Sequence, residues 1–311
     1  MQTKAKIPLK APSAKRLLRN WPLHLMLLPC ILLLLLFNYA PMVGISIAFQ
    51  RYNPTKGFFG SQWVGLQHFQ RLFALPGFWQ VVWNSFRIAV LKIVFSQLMA
   101  LTFALCLNEL RLRTYKKVVH AVTLFPHFVS WVICATIIRD LLYADGAINT
   151  LLINLGLIHT PIFFLGDSKY FLPMLIITDV WKGFGYGSVI ITASLTNIDP
   201  GLYEAAYIDG AGRWKQTLHV TLPGIANIMM MLLLLSIGGI LSAGFDQIYN
   251  LYNTLVYDVA DIIDTYVYRM GIGSGQFSQA TAAGLFKSVI GAILLIISYA
   301  LASRYTDYRV F

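Results

Sequence analysis

Six apolar runs, near residues 22–49, 83–107, 118–142, 171–195, 225–245 and 279–302, punctuate this chain of 311 residues. Each is long enough to carry a helix across a hydrocarbon core of roughly 30 Å, which takes about 20 residues. They leave little chain for a separate soluble domain. With 57% hydrophobic and 12% charged residues and a mean hydropathy of +0.65, against about 25% charge in soluble domains, a water-soluble globule is excluded. The expected fold class is an all-α membrane protein with six transmembrane helices.

An even number of crossings puts both ends on one side, and basic residues decide which. The N-terminal stretch, the 108–117 and 196–224 loops and the tail after 302 carry 14 Lys and Arg, whereas the loops 50–82, 143–170 and 246–278 carry five. Both termini are therefore expected in the cytoplasm. The formal charge of +11 lies in short stretches between apolar runs, which speaks for topology and not for nucleic acid. The outward loops are rich in Trp, Tyr, Phe, Gly and Asn, which suits an interfacial belt or a surface that receives another protein. No repeat or linker divides the chain. It reads as a basic cytoplasmic tail (1–20), one membrane domain (21–303) and a short cytoplasmic tail (304–311). The first run exceeds the core of a signal peptide and reads as a retained helix. Pro41 and Gly44 predict that it bends or unwinds at its outer end.

Several chemistries are missing. The chain has no G-x-x-x-x-G-K-[ST] loop, H-E-x-x-H pair or G-x-S-x-G elbow. Nucleotide chemistry must therefore reside in another subunit, and no catalytic residue, metal or cofactor is expected. His24, His68, His120, His127, His159 and His219 are scattered. Cys30, Cys106 and Cys134 lie in apolar stretches without ligand spacing. Cys30 follows Leu27-Leu28-Pro29, but the proline and the long apolar run after it argue against lipidation there.

The most informative stretch is the 196–224 loop. Asp199 can cap the orphan amides of a helix that starts at Pro200. Ala205 and Ala206 give that helix a small, closely approachable surface. Gly210 can end it in the left-handed conformation, and Arg213 to Thr221 can resume helix until Leu222-Pro223. By itself this is a short helix with an exposed acid, shaped to dock into a groove of a partner.

The pattern Glu204-Ala205-Ala206, three residues, Gly210, nine residues, then Val220-x-Leu222-Pro223 resembles the EAA signature of permease subunits of binding-protein-dependent ABC importers. Valine replaces the commoner isoleucine. The resemblance implies the type I importer permease fold and makes Glu204, Ala205, Ala206, Asp209, Gly210, Leu222 and Pro223 residues of a coupling helix seated in a cytoplasmic ATPase. It further implies an ATPase dimer binding ATP and Mg, a second, different permease completing a heterodimer, and an extracellular solute-binding lipoprotein. Trp63-Val64-Gly65-Leu66 and Phe78-Trp79 before Asn84 look like the first outward loop of sugar permeases. Phe245-Asp246-Gln247-Ile248-Tyr249-Asn250-Leu251, Asp264-Thr265-Tyr266-Val267-Tyr268-Arg269 and Ala280-Thr281-Ala282 resemble the LplB and YteP branch. That branch is associated with complex, including pectin-derived, oligosaccharides.

Charges inside a bilayer cost at least roughly 2.5–3.5 kcal/mol and usually face a cavity or a partner. Asp179, Lys182, Gly183 and Tyr186 share one face of the fourth run. They are the expected sugar path, with Ser236, beside Gly238 and Gly239, on the fifth. Arg87, Lys92 and Lys287 add cations with too few nearby acids in sequence, which suggests a cavity biased toward uronate oligosaccharides. Two alternatives stay open: Asp179 and Lys182 pairing on their own helix, and Arg87 snorkelling to headgroups. The expected function is thus a non-catalytic permease subunit for oligosaccharides, in contact with membrane lipid. The alternatives are the same architecture for a peptide or polyol, and an ion-coupled secondary transporter.

Overall fold

Among the described residues five helices are long and apolar enough to cross a membrane, or six if a strongly bent pair is taken as one passage. The computed structural model describes residues 21–110 and 112–305. The basic stretch 1–20 and residues 306–311 lie outside the described residues, and with them much of the charge asymmetry that set the expected topology.

The first crossing, α1 (Trp21–Phe49), begins as α-helix, widens into a π turn at Leu35–Tyr39 and tightens to 3-10 geometry over Ala40–Phe49. The change falls where Pro41 withholds an amide from the α ladder and Gly44 loosens the chain. Two short antiparallel strands follow, β1 (Gln50–Arg51) and β2 (Gln62–Trp63), and then the amphipathic α2 (Gln67–Ala74).

α3 (Pro76–Glu109) starts earlier than the predicted residue 83, with Pro76 in its first turn. Gln80 and Asn84 look like reasons to end a membrane run. In the fold they have partners, so the helix continues through them. The third crossing departs further from expectation. Instead of one straight helix over 118–142, α4 (Arg113–Phe128) and α5 (Trp131–Leu142) are separated at Val129-Ser130, and α5 runs on through α6 (Ala147–Asn154). The two halves are bent by 99°. Pro126 sits in the last turn of α4, and Ser130 caps α5 by accepting the Ile133 amide at 3.4 Å.

α7 (Ser168–Leu195) is capped by Asp167, which accepts the Lys169 amide at 2.8 Å. After α8 (Pro200–Ile208) comes α9 (Arg213–Gly238), a continuous rod with a π turn at Thr217–Thr221, just ahead of Pro223. The fifth crossing therefore begins in the loop and stops at Gly238-Gly239, short of the predicted residue 245. The chain then passes Gly244, at φ +93°, into the short helices α10 (Phe245–Leu251), α11 (Tyr257–Ala260) and α12 (Ile263–Tyr268), before α13 (Phe277–Tyr305).

Buried main-chain groups need hydrogen-bond partners, and for residues 258–263 α3 supplies them with a stripe of polar side chains. Gln80 donates to the Asp258 carbonyl (3.0 Å). Asn84 donates to the carbonyls of Asp258 (3.0 Å) and Asp261 (3.2 Å), and Ser85 accepts the Ile263 amide at 2.8 Å. α3 and α7 run side by side and parallel, as shown by Lys92 meeting Asp179 and Ala100 meeting Gly187. The main core gathers the first half of α3, α5, the start of α7 and residues 240–266. A smaller core of Ala100, Ala104, Ile191, Leu195 and Ile225 joins the other ends of α3 and α7 to α9.

Candidate functional site

Two regions carry the residues singled out by the sequence, and α9 connects them. At one end of α9 the turn between helices is built as local chemistry demands. Asp199 accepts the Gly201 amide at 2.9 Å, Pro200 opens α8, and Gly210 takes φ +74° while the Ala211 amide donates back to Ala206. Glu204, Ala205, Asp209 and Gly210 are exposed, and Ala206 is half-buried. Around them Leu202, Tyr207, Ile208 and Trp214 are also exposed, the last three by more than three quarters of their surface. Such apolar side chains beside an acid and two alanines form a surface suited to a protein groove.

The loop is tied to the bundle at three points. Ile198 and Leu222 pack against the smaller core. The Tyr203 hydroxyl meets Thr221 Oγ1 at 3.0 Å, and Thr221 in turn bonds to the Gln216 carbonyl inside the π turn. Arg213 reaches Glu109 at the end of α3 at 2.9 Å. Both partners are more than half exposed, so this ion pair contributes about 0–1 kcal/mol and orients more than it stabilises. These ties enclose a polar cavity of about 300 Å³ that also reaches Asn108 and Thr217. Pro223 is exposed at the start of the regular α-helical part of α9.

The second region is the α7 face, and there the structure divides what the helical wheel put together. Asp179 pairs with Lys92 of α3 at 3.1 Å and not with Lys182. Lys182 is buried and donates to the His127 carbonyl at 2.7 Å, with its ammonium 5.4 Å from the Trp131 ring centre. It thus satisfies a carbonyl freed by the α4/α5 break. Tyr186, half exposed, stacks on His127 at 4.2 Å and 3°. Gly183 borders open space. Ser236 turns its hydroxyl back to the Leu232 carbonyl, 2.8 Å away on its own helix.

The remaining cations are held as well. Arg87 donates to the Val259 carbonyl at 3.3 Å. Lys287 pairs with Asp264 at 2.5 Å, between a cleft of about 810 Å³ and a smaller one of about 270 Å³ beside Gly238-Gly239. The expected excess of unpaired cations is therefore corrected: two of the four have carboxylate partners far away in sequence, and the other two donate to main-chain carbonyls. Sequence reasoning missed His127, Trp131, Gln247, Tyr203 and Thr221. Pro126 and Ser130, flanking the break, were the available signal for the first two.

With this geometry in view, the chain can be set beside known proteins. The model of the family described as "binding-protein-dependent transport system inner membrane component" matches residues 100–307. The polygalacturonan/rhamnogalacturonan transport system permease protein YteP of Bacillus subtilis is 41% identical over 297 residues, covering 95% of this chain and 92% of its own length. Protein LplB of the same organism is 41% identical over 290 residues, 93% of this chain and 91% of its own. Among solved structures, a chain of a bacterial alginate ABC transporter in complex with an alginate pentasaccharide-bound periplasmic protein superposes with a TM-score of 0.87. It is 34% identical, and the match covers 95% of this chain and 99% of that one.

Proposed function

The chain belongs to the family of inner membrane components of binding-protein-dependent transport systems, and on that footing we propose that it is a permease subunit of an ATP-driven importer of oligosaccharides that contain uronic acids. The likeness to permeases whose names and titles specify polygalacturonan, rhamnogalacturonan and alginate supports the substrate class. The earlier argument from unpaired cations does not. A second permease, an external solute-binding protein and a cytoplasmic ATPase dimer complete the machine, and this chain conducts while the ATPase hydrolyses. Both termini and the 196–224 loop face the ATPase.

The observation that carries the coupling role is the exposed surface of α8, with Glu204, Ala205, Tyr207 and Ile208, held at the end of α9 through Tyr203 and Leu222. Movement of the ATPase displaces α8. The hydroxyl pair and the smaller core pass that displacement to α9, which spans about 39 Å at 1.5 Å per residue over its 26 residues. On the saccharide path we place Gly183, Tyr186, the exposed side of Asp179 and Ser236. Tyr186 offers a ring face to a sugar, and Gly183 leaves room beside it.

The test is to isolate the tagged chain from its native host in mild detergent, identify what accompanies it, and measure ATP-dependent uptake of a trigalacturonate against a neutral trisaccharide. A second permease and a Walker-type ATPase in the complex, with uptake of the acidic sugar, are the expected results. A lone chain whose uptake collapses with an ionophore while ATP persists would replace this reading with a secondary transporter.

A further inference from the structure

The hydrogen-bond pattern around Lys92 has no place in the path just described. Its ammonium, buried in the bundle, is shared among three elements. It donates to the Ala243 carbonyl at 2.8 Å, to Gln247 Oε1 at the start of α10, and to Asp179 of α7 at 3.1 Å. Gln247, itself fully buried, continues the tie by donating to the Leu175 carbonyl and to Thr178 Oγ1, both at 2.8 Å. The backbone is shaped around the ammonium: a Cβ on Gly244, which already has a left-handed φ of +93°, would come within 2.7 Å of Lys92 Nζ.

On one side of the Gly238–Gly244 break lies the α9 rod, which packs mainly on α13 and touches α3 and α7 more lightly. On the other side the chain is fastened to α3 and α7 by Lys92 and Gln247. The short cavity of about 270 Å³ lined by Gly238, Gly239, Ser242 and Lys287 sits at the joint. A displaced rod joined through glycine to a fixed segment concentrates its movement at the glycines.

We infer that Lys92 is a positioning residue for transport: it anchors the chain beyond the break, so that displacement of α9 opens and closes the joint at Gly238–Gly244 instead of dragging α10 along. This rests on the reading of the chain as an ATP-driven permease. A fixed far side is what converts movement of the coupling loop into a change of the cavity. Without it the two sides of the joint move together, and ATP is spent with little transport.

The test uses the complete transporter in liposomes, with its binding protein and saturating saccharide, and reads ATP hydrolysed per saccharide imported. Two variants loosen the anchor differently. Lys92→Met with Asp179→Asn removes the tie without leaving a carboxylate unpaired, and Gln247→Leu keeps the ion pair but frees α10. Both should raise the ratio about tenfold, within the range of couplings between sites. Loss of a sugar contact at Asp179 would raise the saccharide KM and leave the ratio at saturation unchanged. A wild-type ratio in either variant overturns the inference, as does failure of both to assemble, which would make the cluster a folding element alone. A wild-type complex that imports nothing with ATP would instead refute the transport reading itself.

Discussion

Two glycines on α7, two residues apart, should respond in opposite ways to the same substitution. Gly185 is buried against α4, and a Cβ there would lie 2.1 Å from the Thr123 carbonyl oxygen and 2.6 Å from its carbon. Neither atom can rotate away, so α4 and α7 must separate by about 1 Å to restore ordinary contact. One turn away, the 2.7 Å bond from Lys182 to His127 would stretch out of hydrogen-bonding range. Overpacking costs about 1–3 kcal/mol and a lost bond to a charged donor about 1.5–3 kcal/mol, while alanine returns up to about 1 kcal/mol of helix propensity. The net loss for Gly185→Ala is about 1.5–6 kcal/mol. Gly183 has nothing within 4 Å of its Cβ direction, so Gly183→Ala should be neutral or stabilising by up to about 1 kcal/mol, yet should reduce uptake if it narrows the path. Labelling of the buried Cys134 just past the break, in a chain with the exposed Cys30 and Cys106 replaced by serine, reports the unfolding temperature. Equal shifts for the two variants would refute the packing argument.

Glu204→Lys should leave the permease folded and inserted while abolishing recovery of the ATPase and uptake; normal uptake at normal expression would remove α8 from the coupling role. Asn84→Leu strips the buried donor from the Asp261 carbonyl and leaves the Asp258 carbonyl to Gln80 alone, and an unsatisfied buried acceptor costs about 1–3 kcal/mol. Proteolysis within 245–276 should accelerate while α3 remains intact. His68 is buried with Nε2 3.0 Å from the Gln50 carbonyl, and burial above all depresses its pKa below the usual 6.5. A depressed histidine favours the fold above pH 6.5 and loses that contribution as pH falls through the folded value. The stacking of Trp63 on Phe49, read by fluorescence, should therefore weaken on acidification in wild type and much less in His68→Gln. Lys182→Met, which removes a donor to a carbonyl rather than a free charge, should depress uptake of neutral and acidic oligosaccharides alike, and a loss confined to uronates would restore a selective role to this lysine.

That the apolar runs form long helices was legible, because runs of this length have one outcome in a bilayer. The helix–turn–helix of the 196–224 loop was legible too, since Asp199, Pro200 and Gly210 are local signals whose meaning does not depend on distant contacts. The break between α4 and α5 was harder to read. Val129-Ser130 interrupts the run without a charge, Pro126 and Ser130 being its only local signals, and what stabilises the exposed carbonyl is Lys182, more than fifty residues later in the chain. The end of α9 was misplaced because residues 239–245 remain apolar enough to extend a membrane helix. The helix ends at Gly238-Gly239, and Lys92 on another helix meets the chain just beyond, at Ala243 and Gly244.

The same reasoning explains why the charged residues were read as a pathway. Insertion rules treat an intramembrane cation as exceptional and ask which ligand it serves. In a bundle of uninterrupted helices that is a fair question, because every carbonyl is already bonded within its own helix. Among the described residues the helical ladder stops after Phe128 and after Gly238, and each stop releases main-chain acceptors that lipid could not satisfy. Lys92 and Lys182 donate to such carbonyls, those of Ala243 and His127, and Arg87 donates to the Val259 carbonyl of the short helix α11. A long cationic side chain on a continuous helix serves better here than a short neutral donor, since it reaches across the helix packing distance and makes the stronger, charge-assisted bond. A broken crossing therefore predicts a cation on its neighbour before it predicts an anionic ligand. Substrate charge has then to be recognised by groups that these acceptors do not already occupy.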